Sequence, residues 1–250
     1  MNAPHYFAAI DDLLVYCRAH AADQIVSIYL GGSVARGDFT PDRSDIDLYL
    51  VLRERNLATE QAIIREARQI EARHFSTLLR YNPEPLSVTF TSLEEIDNER
   101  SFLGAGFERH GFVTTAKRLW GEDIVPRIPA TPDDRSRDIA QFALNMLQAL
   151  VQAQDSLQVT PELAGFLFSP IFRAAAIGLG GQGQFVGNKP ATVAAFAASY
   201  PEQAALNAAL VRSYALWQQW AARDLSDEET RELAQLCKDF VAGAYALWCV

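Results

Sequence analysis

Basic residues are the scarcer charge in this chain of 250 residues: 22 Lys and Arg stand against 31 Asp and Glu, a formal charge of -9 and a pI near 5.0. Such a surface repels a nucleic-acid backbone, which disfavours a duplex-binding protein and leaves local basic patches open. Cysteine is rarer still. Cys17, Cys237 and Cys249 are odd in number and show no CxxC or Cys/His ligand spacing, which argues against a disulfide framework and against structural zinc. A reducing compartment, the cytoplasm, is the expected location. Long hydrophobic runs are missing too: no stretch reaches about 18 uninterrupted apolar residues. The opening MNAPHYFAAIDDLLVYC carries Asp11 and Asp12 inside its apolar pattern and no basic leader, so neither secretion nor membrane insertion is expected. His5, His20, His74 and His110 fit no ligand or nucleophile spacing and read as structural or exposed.

What is present is apolar surface. At 49% hydrophobic residues the chain can fill one large core or two smaller ones. Tyr6, Ile10, Leu13, Leu14 and Cys17 recur at helical spacing and predict an amphipathic opening helix over 6–19. IVSIYL at 25–30 predicts a strand, and DIDLYLVL at 45–52 a second, with Asp45, Asp47 and Tyr49 on one face and Ile46, Leu48 and Leu50 on the other. A charged, Ala-rich stretch over 58–80 predicts a helix, and LSVTF at 86–90 a third strand. Residues 121–137 are rich in Pro and charge and read as a linker. Beyond them strand signals nearly vanish, and helices are predicted near 138–157, 162–179, 190–198, 202–222 and 227–248. The glycine-rich run at 178–190 reads as an interruption, with Pro190 suited to the first turn of the next helix. The expected fold class is α+β: a domain over 1–125 with a short mixed sheet, then an all-α bundle over 135–250.

The segment richest in chemistry is Gly31-Gly32-Ser33-Val34-Ala35-Arg36-Gly37, followed by Ser44-Asp45-Ile46-Asp47. Adjacent glycines after a strand let the backbone turn tightly and approach a ligand, while Ser33 offers a hydroxyl and a main-chain N–H to a phosphate. Two carboxylates two residues apart on a strand share a face and can hold one or two hard cations, as Mg2+ is held by a few carboxylates and substrate phosphates. Taken singly, each half is as well explained by a strand-ending turn or a solvated strand edge. Taken together, an exposed carboxylate pair with nothing opposed to it would repel, and a cation site is the economical explanation.

GGSVARGDFTPDRSDIDLYLV resembles the signature of the nucleotidyltransferase superfamily that includes DNA polymerase beta: Gly-Ser, a short spacer, then Asp-x-Asp on a strand. The Ala-Arg-Gly after the serine and the Ser-Asp-Ile-Asp-Leu spelling are similar to those of bacterial minimal nucleotidyltransferases and aminoglycoside adenylyltransferases, and the two-domain layout is more like the latter. The close match covers about residues 30–51. The resemblance implies transfer of a nucleoside monophosphate, AMP from ATP, to a hydroxyl acceptor with Mg2+ and with pyrophosphate leaving. It implies Asp45 and Asp47 as catalytic metal carboxylates and Gly32, Ser33, Arg36 and Ser44 as the nucleotide cradle, with Ser33 on the β/γ phosphates and Arg36 neutralising nearby charge. From the helical side it implies Arg173 and Lys189 as triphosphate contacts and Tyr214 as a base-stacking group. Arg173 and Lys189 read equally well as ordinary bundle residues, and Trp217 with Trp220, three apart on a helix, reads as packing. The closing Trp248-Cys249-Val250 is expected to pack on the bundle or at a subunit contact.

One position departs from that pattern. The adenylyltransferases supply a third carboxylate within a stretch resembling Pro-Leu-Glu-Val-Thr, and here it is Pro85-Leu86-Ser87-Val88-Thr89. A hydroxyl at Ser87 is a weak metal ligand and no base near neutral pH. Either Glu84, Glu162 or another acid replaces it, or catalysis is impaired. The expected partners are an NTP and a small-molecule acceptor, cationic and aminoglycoside-like in keeping with the acidic chain. The alternatives are a nucleotide-binding regulatory or antitoxin-like protein and an AMP-transferase acting on a protein. The sequence does not fix the oligomeric state.

Overall fold

The structure is a computed structural model and describes residues 3–75, 84–98, 106–128, 160 and 163–248. The chain divides into two compact units, Met1–Thr131 and Pro132–Val250.

In the first unit the order is α1 (Pro4–His20), β1 (Ile25–Leu30), α2 (Gly32–Arg36), β2 (Ile46–Leu52), α3 (Leu57–His74), β3 (Leu86–Ser92), α4 (Leu93–Asp97), α5 (Gly106–Thr115) and β4 (Lys117–Gly121), followed by a 3-10 turn at Val125–Arg127. The sheet runs β3-β2-β1-β4. β1 pairs antiparallel with both β2 and β4, and β2 pairs parallel with β3, so the sheet is short and mixed as expected.

The alternation in β2 separates two cores. Ile46, Leu48, Leu50 and Leu52 join Leu13, Cys17, Ile63 and Ile70 beneath α1 and α3. Val51 joins Val26, Tyr29, Ile96, Phe112 and Ile124 on the opposite face, with Tyr49 packed against them. Asp47 shares that second face because side chains alternate along a strand. Local signals set the helix starts: Asn56 accepts the Thr59 N–H at 3.1 Å ahead of α3, and Ser92 with Glu95 forms a reciprocal capping box ahead of α4.

Three sequence expectations change. Helix α3 stops at His74 rather than near residue 80, where Phe75 turns into the core. A fourth strand, β4, ends at Gly121, where the linker was expected to begin. KRLWG has weak strand character of its own, and pairing with the open edge of β1 supplies what local propensity does not. Helices α4 and α5 had no separate signal.

In the second unit the described helices are α6 (Ala164–Gly181), α7 (Lys189–Ser199), α8 (Ala204–Ala222) and α9 (Asp227–Trp248). The helix expected over 138–157 lies outside the described residues. Phe168, Ile171, Phe196, Leu210, Leu216, Leu233 and Phe240 form the core. Among the described residues α6 is the one helix long and apolar enough to cross a membrane, with a mean hydropathy of 1.3, and 67% of it is buried within the protein, as a core helix would be.

Contrary to the sequence reading, α6 continues through Gly178 and Gly180 to Gly181. Packing explains it: a Cβ on Gly178 would collide with the Trp248 indole, so glycine here makes room for a neighbouring ring. Trp248 also meets Tyr200, with ring centroids 5.6 Å apart, and so packs back on the bundle as expected; Cys249 and Val250 lie outside the described residues. Asn188 caps α7 by accepting the Ala191 N–H at 2.9 Å, with Pro190 in the first turn.

Candidate active site

β1 delivers the chain to Gly31, whose N–H donates to the Asp47 carbonyl at 2.8 Å and so ties the turn to β2. Gly31 lies against the Tyr49 ring: a Cβ there would come within 3.1 Å of Tyr49 Cδ2 and closer still to Cε2. Gly32 has φ +60°, and a Cβ on it would lie 2.9 Å from Asp47 Cγ and inside contact distance of Oδ2. Only glycine satisfies both the left-handed backbone and that approach. Ser33 follows in the first turn of α2, half-buried, and its carbonyl accepts the N–H groups of Gly37 and Asp38 at 2.9 and 3.1 Å. Gly37 closes α2 in the left-handed conformation, φ 82°.

The loop from α2 to β2 brings Asp45 to the mouth of β2, two residues before Asp47. Ser44 accepts the Thr40 N–H through its hydroxyl at 2.9 Å, and the Ile46 N–H donates to the Pro85 carbonyl at 2.8 Å. Arg36 pairs with Asp38, Nε to Oδ1, at 3.2 Å.

The third-acid position is equally well defined. Ser87 stands in register with Asp47 across the parallel β2/β3 pair. Glu84 ion-pairs with Arg68 of α3, Nη2 to Oε1, at 2.6 Å. Helix α3 covers the face of the sheet opposite Asp47, so Glu84 is turned away from the aspartate pair. Nearby Glu71 accepts the Leu86 N–H at 3.0 Å, and burial raises its pKa above the ordinary carboxylate value. Glu162 lies outside the described residues. Among the described residues no cluster of three or more His, Cys, Asp or Glu could hold a metal ion.

Two groups had no signal in the sequence beyond core periodicity. Phe112 of α5 packs on Tyr29 and Tyr49, with ring centroids 4.9 and 5.4 Å away, and roofs the face that carries Asp47. Arg109, one turn earlier on α5, is 5% exposed, which is rare for an arginine.

In the helical unit Lys189 opens α7 with its ammonium 4.8 Å from the Trp217 ring and 5.6 Å from that of Phe172. Tyr214 stacks on Trp217, with centroids 5.8 Å apart and planes 15° from parallel. Lys189 and Tyr214 thus meet through Trp217, while Trp220 is buried beside Phe168; the two tryptophans divide, one in the core and one under a cation. Arg173 is exposed on α6, next to Phe172. Cys17 and Cys237 are free and buried, and burial pushes both thiols up to about 12, which makes them inert.

Residues 13–102, about a third of the chain, match the family model of the nucleotidyltransferase domain. Over 96% of this chain and 99% of the other, the fold is similar to spectinomycin adenyltransferase AAD(9) from Enterococcus faecialis, solved with ATP and spectinomycin, at a TM-score of 0.61 and 13% identity. A mutant of the toxin-antitoxin pair MntA-HpeT matches 59% of this chain and 92% of its own at 18% identity and a TM-score of 0.28. No curated protein matches the chain by sequence.

Proposed function

We propose that the protein is a Mg2+-dependent nucleotidyltransferase that moves AMP from ATP to a hydroxyl of a small molecule. The observation that carries the reading is the packing of the Gly31-Gly32 turn against Asp47, with Asp45 two residues before it. Two carboxylates give an all-oxygen donor set, which together with substrate phosphates suits Mg2+. Asp45 and Asp47 would hold the ion. When bound, it would neutralise charge on the transferring and leaving oxygens and lower the pKa of the attacking hydroxyl.

The chain's own residues do the rest. Gly32 lets the turn pass directly beside the Asp47 carboxylate, and Ser33 offers its hydroxyl and N–H to the β/γ phosphates. Arg36, paired with Asp38, fixes the end of α2, and Ser44 fixes the turn that leads to Asp45. Spectinomycin adenyltransferase, similar in fold, was solved with ATP and spectinomycin; an aminoglycoside-like acceptor for this chain agrees with its net charge of -9. Incubating the protein with labelled ATP, Mg2+ and a panel of cationic and neutral acceptors, and following pyrophosphate release, tests the reading. Release with none of them would overturn it.

A second reading rests on Ser87, which sets a neutral hydroxyl across from Asp47. It makes the protein a nucleotide-binding regulator with little turnover. Tight uptake of Mg-ATP without pyrophosphate release favours that version.

A further inference from the structure

Tyr6 lies outside the motif, near the start of α1, yet its hydroxyl donates to the Ser44 carbonyl at 2.6 Å, one residue before Asp45. The side chain is fully buried. Its ring is wedged between Phe39 and Phe75, with centroids 5.1 and 5.3 Å away, and beside His5. Burial raises the phenol above the usual tyrosine range.

The same helix end grips the loop a second time, through His5 Nε2 and Asp42 Oδ1 at 3.2 Å. Asp42 itself sits in the left-handed region, φ 62°. On the other side of Asp45 the Ile46 N–H is held by Pro85. The peptide bearing Asp45 is therefore fixed from both flanks, by α1 and by the approach to β3. A core tyrosine could have buried its hydroxyl against any carbonyl; this one meets the carbonyl whose orientation sets the Asp45 backbone.

We propose that Tyr6 is a positioning residue for the divalent-cation site, holding Asp45 at the separation from Asp47 that a cation requires. This rests on the reading of Asp45 and Asp47 given above. In physical terms the hydrogen bond removes freedom from the Ser44-Asp45 peptide before the cation arrives, so binding does not have to supply that ordering. Tyr6→Phe keeps the ring packing and deletes only the donor.

The test is the affinity of the full-length protein for Mn2+, measured by electron paramagnetic resonance at saturating non-hydrolysable ATP analogue, with thermal melting alongside. Y6F is expected to weaken Mn2+ uptake about five- to tenfold while affinity for the analogue in EDTA is unchanged. Tyr29→Phe is the control: that tyrosine is as deeply buried, but its hydroxyl bonds Asp123 and the Ile124 N–H, and Mn2+ affinity should stay at the wild-type value. Unchanged Mn2+ affinity in Y6F, or an equal loss in Y29F, makes the Tyr6 hydroxyl purely structural and overturns the proposal. Should Y6F fold poorly, His5→Ala, altered at a partly exposed position, carries the same test with a smaller loss in the same direction. If wild-type protein with analogue takes up no Mn2+, the nucleotidyltransferase reading itself fails, and this proposal with it.

Discussion

Gly32 lies so close to Asp47 that a side chain at position 32 would occupy the space of the Asp47 carboxylate, and the backbone there is left-handed, φ +60°. The turn and the acid therefore belong to one unit: the glycine exists to let the carboxylate stand where it does. Gly32→Ala is expected to cost about 1–2 kcal/mol of stability from backbone strain and to weaken Mg-ATP binding at least about tenfold, roughly 1.4 kcal/mol. Denaturant unfolding and calorimetry with Mg-ATP check the two effects separately. Full retention of nucleotide affinity would detach the turn from the site.

Asp45→Asn and Asp47→Asn keep the shape of each side chain and remove its charge. Each is expected to lower Mg2+-dependent pyrophosphate release by a factor on the order of 100 or more, the scale seen when one stabilising group is removed from a reaction site. Melting should stay close to wild type, since neither aspartate belongs to the apolar clusters. Equal turnover in wild type and both variants would remove the pair from the mechanism.

Ser87→Glu places a carboxylate in register with Asp47. The expected outcome is turnover raised about tenfold or more, because a positioned base contributes on that scale or above. An unchanged rate would mean that the acid comes from elsewhere in the chain or that the acceptor needs none.

The start of α9 carries a pH-dependent contribution to stability. Glu229 accepts from Arg223 at 2.6 and 2.8 Å and from the Ser226 N–H at 2.8 Å, while its own N–H donates to Ser226 Oγ at 3.2 Å. The Arg223 hydrogen bond first, with help from Ser226, lowers its pKa from 4.5 to about 2. The folded acid thus binds its proton less readily than the unfolded one. Its contribution is complete above pH 4.5 and is lost as the pH falls toward about 2. Melting curves from pH 6 down to about 2 should show a shallower acid slope for Glu229→Gln than for wild type; identical slopes would exclude the mechanism.

Much of the architecture was legible because periodicity reports burial. The period-2 run of β2 put Ile46, Leu48 and Leu50 on one face and Tyr49 on the other, and the helical spacing of α1 picked out the residues that fill the core. The Gly-Ser and Asp-x-Asp spacing marks one site, and the antiparallel return of β2 beside β1 brings Gly32 against Asp47. Strand β4 was not legible, because an edge strand needs only a partner with open hydrogen bonds. Nor was the run of α6 through its glycines, which depends on an indole arriving from 70 residues further on.

By itself, then, the sequence determined the α+β class, the sheet that carries the aspartates and the residue types at the turn, because each is written in local spacing and side-chain chemistry. The tertiary structure alone decided that Glu84 turns to Arg68 and that Tyr6 reaches the Ser44 carbonyl, and it set Ser87 in register with Asp47, as the resemblance implies. Those are relations between positions 16 to 40 residues apart, fixed by strand register and helix packing. Local spacing does not report such a pair, because neither member is set by the helix or strand period of the other.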